Sequence, residues 1–208
     1  MPEHEQRKGE REHRQQKRVI LICGRKGAGK DTLAGAITRA GVRMGVDVMI
    51  DRLAFADPIK RIVANVLGVP PTVLWGTDAQ KEAYQVYGKS ARHWMQWVGT
   101  EVFRDGVDPN IWADAAVRQI ASSSAGLFIL TDLRFPNEVE VVGRVATPYV
   151  VRVERASLGE PVDSHRSETS GDAIPIDLVV HNDGPVADLD EPAEAILVDV
   201  LFGRTAAS

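Results

Sequence analysis

A short apolar run that ends on a glycine-rich loop constrains this chain more than any other stretch. Val19-Ile20-Leu21-Ile22-Cys23 reads as a buried strand. Gly24-Arg25-Lys26-Gly27-Ala28-Gly29-Lys30-Asp31-Thr32 follows it. Leu33, Ala34, Ile37, Ala40 and Met44 then recur at three-and-four spacing, one face of a helix. Strand, glycine loop and helix start make a phosphate cradle. Glycines let the backbone turn its N–H groups inward, and the helix N-terminus adds partial positive charge. A lysine at the end of such a loop reaches the outer phosphates of a nucleotide.

Gly24, four residues, Gly29 and Lys30 fit the P-loop pattern, with Asp31 where Ser or Thr is usual. The glycines run Gly-x-x-Gly-x-Gly, not the Gly-x-Gly-x-x-Gly of dinucleotide turns, and a dehydrogenase would leave Lys30 unexplained. A GTPase switch should carry Asn-Lys-x-Asp, and no such run exists. The net charge of −4 gives no reason to expect a nucleic-acid surface. No apolar stretch approaches the ~20 residues needed to cross a bilayer. Cys23 is the single cysteine, so no internal disulfide forms, which fits a reducing cytoplasm.

Residues 1–17 are almost wholly polar and read as a solvated extension; 18–208 reads as one domain. Within it, Val46–Ile50 predicts a second strand. Asp57 then suits an N-cap and Pro58 the first position of a helix with an Ile59, Ile62, Val63, Val66, Leu67 stripe. Residues 72–89 have weak periodicity. Ser90 caps a predicted helix to about Arg104, and another helix is expected from Ile111 to about Ala121. Over seventy residues thus separate the second strand from the next, Leu127–Asp132, which implies a helical insertion over about 72–121. Pro136 opens a further helix, Tyr149–Val153 and Ile176–Asn182 read as strands, and Val186–Leu201 as the last helix. Residues 155–171 are polar and suit a lid. Alternating strands and helices predict a parallel sheet covered on both faces. Ligands bind such sheets beyond the carboxyl ends of the strands. The glycine loop, Phe55, Asp132, Arg155 and Asn182 all follow strand ends.

Phosphoryl transfer between two anions needs positive donors and a metal more than a nucleophile. Lys30 is the natural donor to the β- and γ-phosphates, and Thr32 can donate to an inner phosphate. Asp31 can hold Mg²⁺ directly or through water, or it is an acid favoured at a helix start by the dipole. Asp132 lies where a Walker-B-like acid would. Arg134 could neutralise an acceptor phosphate and Glu138 orient it or bind sugar. Alternatively, Arg134 and Glu138 form an i,i+4 pair. Arg152 and Arg155 either reach the transferring phosphoryl or are solvated strand-end arginines. Trp94 and Trp97 suit the core, and Trp112 suits either packing or stacking on a base.

Together these segments resemble the bacteriophage deoxynucleoside monophosphate kinase family. The resemblance is carried by Gly24–Thr32 with its Lys-Asp-Thr, Phe55–Lys60, Gln96–Glu101, Asp132–Glu138, then His165, Ser167-Glu168 and Asn182. It implies transfer of the ATP γ-phosphoryl to a deoxynucleoside monophosphate with Mg²⁺, for nucleotide supply to DNA synthesis. It also implies a three-layer α/β/α P-loop NTPase fold and a homodimer. Lys26, Gly27, Ala28, Gly29, Lys30, Asp31 and Thr32 would hold ATP, with Asp31 on the metal. Phe55, Lys60, Arg92, Gly99, Thr100, Trp112, Asp132, Arg134 and Glu138 would line the acceptor site. Lys30, Asp31, Asp132, Arg134 and Arg155 would form the catalytic group. Phosphomevalonate kinase resembles the loop, including its Lys-Asp, and is the enzymatic alternative. A non-catalytic nucleotide-binding module is the other, although Arg134 and the lid arginines would be superfluous there.

Overall fold

The structure, a computed structural model, describes residues 17–159 and 173–203. Strand β1 (Arg18–Cys23) lies at the centre of a five-stranded parallel sheet. The order is β2 (Ile50–Leu53), β5 (Leu127–Leu130), β1, β6 (Thr147–Glu154) and β7 (Leu178–His181). Two-residue strands β3 (Gln85–Val86) and β4 (Lys89–Ser90) form a separate antiparallel hairpin.

Successive side chains of a strand point to opposite faces, and β1 shows the consequence. Ile20 and Ile22 enter one core with α1 (Lys30–Arg43) and α8 (Asp190–Phe202). Val19, Leu21 and Cys23 enter the other, with α6 (Ile111–Ser122) and α7 (Pro136–Val142). β5 divides in the same way, Leu127 and Ile129 against Phe128 and Leu130. A strand buried on both sides must be apolar throughout. That is why β1, β5 and β6 stand out in the sequence. The result is a three-layer α/β/α P-loop fold.

Between β2 and α6 the chain builds α2 (Asp57–Leu67), α3 (Pro71–Leu74), α4 (Asp78–Ala83), the hairpin and α5 (Ala91–Trp97). α5 runs on as a π-helical segment, Val98–Asp105. Val63, Val69, Leu74, Ala91 and Val98 give this region a small core of its own. Thr77 and Gln80 close a capping box on α4, and the Ser90 hydroxyl accepts from the His93 amide to cap α5 as expected.

Four local expectations are corrected. The second strand is Ile50–Leu53 and not Val46–Ile50, because pairing of Ile50 with Leu127 through Leu53 with Leu130 sets its register. Asp57 is the first helical residue of α2 rather than its cap, and Ala56 takes the cap position. Trp97 is 44% exposed, outside the core where Trp94 packs. The last strand begins at Leu178 because Asp177 is used otherwise. Its carboxylate accepts the Val150 amide at 2.8 Å. The extension to residue 16, most of the expected lid, and His165, Ser167 and Glu168 lie outside the described residues.

Candidate active site

The glycine loop leaves the C-terminal end of the central strand and delivers Lys30 to the first position of α1. Gly24, Gly27 and Gly29 all take positive φ, and two of them also admit no side chain. Gly24 has φ 138°, and a Cβ there would collide with the Val153 carbonyl. Gly29 has φ 97°, and a Cβ there would collide with the Asn182 amide. That amide, buried beyond β7, donates to the Ala28 carbonyl at 2.8 Å and ties the loop to the last strand. Lys30 Nζ folds back onto the carbonyls of Gly24 (2.7 Å) and Arg25 (3.0 Å). Arg25 donates to the Gly159 carbonyl, and Leu158 lies against Gly27, so the start of the expected lid rests on the loop.

Asp31 sits in the first turn of α1, but no side chain caps this helix. One carboxylate oxygen of Asp31 instead accepts from Arg52 (3.0 Å) and from the Thr131 hydroxyl (2.9 Å). The side chain is 81% exposed. Among the described residues no cluster of three or more His, Cys, Asp or Glu is placed to hold a metal. Mg²⁺ is usually held by one or two carboxylates together with substrate phosphates and waters. An exposed carboxylate beside a hydroxyl, next to a phosphate-cradling loop, fits that requirement.

Two cavities open at the strand ends. The loop-side cavity, about 540 Å³, is lined by Gly24, Arg25, Ala28, Lys30, Arg152, Arg155, His181 and Asp183, among others. The insertion-side cavity, about 470 Å³, is lined by Asp31, Arg52, Phe55, Lys60, Arg92, Gly99, Thr100, Arg104, Trp112 and Glu138, among others. Asp132 and Arg134 line both. The cavities therefore meet at the segment that follows β5.

Asp132 accepts the amides of Phe55 (3.0 Å) and Ala56 (2.9 Å), one with each carboxylate oxygen. Desolvation raises its pKa, opposed by those two amides, Arg134 and Lys60. These two bonds tie Asp132 to the turn between β2 and α2. Glu138 is more deeply committed. One oxygen accepts from Arg104 at 2.6 Å and the other from the amides of Arg134 (2.9 Å) and Phe135 (3.1 Å). The i,i+4 reading is thus corrected: Glu138 meets the Arg134 backbone, and its ion-pair partner is Arg104, 34 residues away. Arg104 also donates to the Pro109 carbonyl and lies 3.7 Å from the centroid of the Phe135 ring. Burial raises the Glu138 pKa; the Arg134 amide, Arg104 and the Phe135 amide oppose it, and Asp132 adds to it.

Trp112 is buried, donates from Nε1 to the Gly99 carbonyl at 2.7 Å and packs on Phe103, so it forms a cavity wall. A Cβ on Gly99 would press on Ile59 of α2, which lets α2 and the π-helical turn approach closely. Lys60 bonds to Asp57 (3.1 Å) and lies over Trp75, whose Nε1 also donates to Asp57 (3.2 Å). Arg92 pairs with Asp78 and Glu82. Of the residues expected to hold ATP, Lys26 is the outlier: its ammonium is 3.1 Å from Asp78, on the insertion side. Thr32 lies in the first turn of α1, below Gly29. Arg52, Thr131, Trp75 and Asp78 were not among the expected site residues. Arg52 alone carried a signal, as a cation at a strand end. Burial pushes the Cys23 thiol up, with Arg152 opposing.

A family model described as deoxynucleotide monophosphate kinase matches residues 77–192, more than half of the chain. The chain belongs to this family. The matched segment runs from α4 into α8 and contains Arg92, Gly99, Arg104, Asp132, Arg134 and Glu138. A protein of Acanthamoeba polyphaga mimivirus described as a deoxynucleotide monophosphate kinase is 26% identical, over 72% of this chain and 80% of its own. A deoxynucleoside-5'-monophosphate kinase of Escherichia phage T5 is also 26% identical, over 60% of this chain and 71% of its own. Among solved structures, an APS kinase from Mycobacterium tuberculosis in complex with AMPPNP and APS matches at a TM-score of 0.48. It shares 13% identity and covers 90% of this chain and 98% of its own. No described helix is long and apolar enough to cross a membrane.

Proposed function

We propose that this protein transfers the γ-phosphoryl group of ATP to a deoxynucleoside monophosphate, giving the diphosphate. The observation that carries the reading is the meeting of two cavities at Asp132 and Arg134, one built on a P-loop and the other within the family-matched segment. Two anionic substrates brought in from opposite sides need cations where they meet, and catalysis is then mostly positioning and charge stabilisation.

In this reading ATP lies in the loop-side cavity, on the backbone from Lys26 to Gly29 and on Lys30 and Thr32. Lys30 leaves the Gly24 and Arg25 carbonyls for the outer phosphates. The deoxynucleotide enters the insertion-side cavity, walled by Phe55, Trp112 and Gly99-Thr100, with Lys60 and Arg92 supplying positive charge. Arg134, exposed between the cavities, faces the transferring group, and Arg155 approaches from the other side. Asp132 and Glu138 hold the frame. Mg²⁺ would be held by Asp31, neutralising phosphate charge. The segment at about 72–121 serves as the substrate-binding insertion and 155–171 as the lid of a domain spanning 18–208. A homodimer in the host cytoplasm, supplying DNA synthesis, completes the proposal.

A coupled ADP-release assay with ATP and Mg²⁺ tests it. We expect turnover with one or more of the four common deoxynucleoside monophosphates and none with phosphomevalonate. Turnover with phosphomevalonate alone would transfer the protein to the other kinase class, and no turnover with any acceptor would leave a passive nucleotide binder.

A further inference from the structure

Lys26 belongs to the glycine loop by sequence, but its charge is spent on the insertion. Its Nζ lies 3.1 Å from Asp78 Oδ2. The other oxygen of Asp78 is 3.4 Å from Lys81 Nζ and 3.6 Å from Arg92 Nη1. Three cations from the loop, α4 and α5 therefore share one carboxylate. Asp78 is itself fixed: it opens α4, directly after the Thr77 cap that closes a capping box with Gln80. Arg92 is further oriented by Glu82 at 3.3 Å. Asp78, Lys81 and Arg92 all line the insertion-side cavity.

An isolated exposed ion pair is worth little. The Lys26 and Asp78 side chains are themselves 54% and 41% exposed, but Lys81 and Arg92 are only 16% and 17% exposed, and the network crosses between two parts of the site. The insertion has a small core of its own that joins the main core through Ile59, Ile62 and Phe103, and the Lys26–Asp78 pair adds a direct contact to the glycine loop. A displacement of about 1 Å between reacting groups is enough to slow transfer severely.

We propose that Asp78 is a positioning residue that clasps the acceptor-binding insertion to the phosphate-binding loop through Lys26, while holding Arg92 and Lys81 toward the acceptor. This rests on the kinase reading above. Lys26→Met should raise KM for the deoxynucleotide five- to tenfold, the size of a typical coupling between sites. Lys26→Arg should restore it. Asp78→Asn should raise KM further, since it also releases Arg92 and Lys81. Adding Lys26→Met to that background should change KM by less than about twofold, because the partners act as a unit.

Amide hydrogen exchange of the ligand-free protein gives a readout that needs no substrate. Exchange over residues 77–93 should rise in Lys26→Met and stay at the wild-type level in Lys26→Arg. A Lys26→Met protein with wild-type KM, additive effects in the double variant, or unchanged exchange would each overturn the clasp. If the wild-type protein phosphorylates no deoxynucleotide, the kinase reading fails, and the exchange measurement still decides the clasp.

Discussion

The two cavities that meet at Asp132 and Arg134 are held in shape by different physics. The loop-side cavity owes its form to backbone: positive φ at Gly24, Gly27 and Gly29, and the Asn182 amide on the Ala28 carbonyl. The insertion-side cavity owes its form to a buried ion pair, Glu138 with Arg104 and two amides, and to the half-buried Asp132 with two more. A backbone cradle suits any polyphosphate and commits few side chains. A buried charge network fixes one arrangement of α2, the π-helical turn and α7. The difference suggests a general donor site and a specific acceptor site, and it can be broken from either side.

Glu138→Gln attacks the charged side and should have the largest effect. It leaves the Arg104 guanidinium buried without its counter-charge, a loss of about 3–5 kcal/mol. Chemical denaturation would measure it, and a loss under about 1 kcal/mol would show that the network does not hold the cavity. Lys30→Ala attacks the other side. It should lower turnover by ~10²-fold or more, the typical worth of one preorganised donor, while the denaturation midpoint moves little. Wild-type turnover would remove Lys30 from the mechanism.

Asn182→Ala tests whether the cradle depends on its tie to β7. The Ala28 carbonyl loses its partner, at a cost of about 1–3 kcal/mol, and KM for ATP should rise more than KM for the deoxynucleotide. Equal rises would mean that the two cavities are not separately supported. The smallest effect concerns pH. Burial works to raise the Asp78 pKa, but Lys26, Lys81 and Arg92 hold the carboxyl below its ordinary value near 3.8. Its contribution to stability is therefore present above that value and lost as pH falls through the lower, folded-state value. The stability gap between wild type and Asp78→Asn should be constant from about pH 5 to about 7 and close in stronger acid.

The same contrast explains what could be read from the sequence. The loop side was legible because its cause is local: an apolar run, spaced glycines, a lysine and a helix stripe. β1, β5 and β6 were visible as apolar runs because both faces are buried. β2 was misplaced by several residues because an edge strand is apolar on fewer positions and its register comes from β5. The insertion was legible in part, through the Ser90-capped helix and the helix from Ile111. α3, α4 and the hairpin are too short for a periodic pattern, and nothing in the sequence announces the π-helical turn. Arg104 and Glu138 lie 34 residues apart, so the nearer Arg134 drew the pairing. Lys26 was assigned to phosphate by its neighbours, whereas its partner Asp78 comes from the insertion, 52 residues away in sequence.

In the proposed reaction the phosphoryl group passes directly from one cavity to the other. ATP labelled on its γ-phosphate, incubated with Mg²⁺ and each deoxynucleoside monophosphate, tests it in one separation of products. Label is expected in the deoxynucleoside diphosphate. Label released as inorganic phosphate, with the monophosphate unchanged, would contradict it.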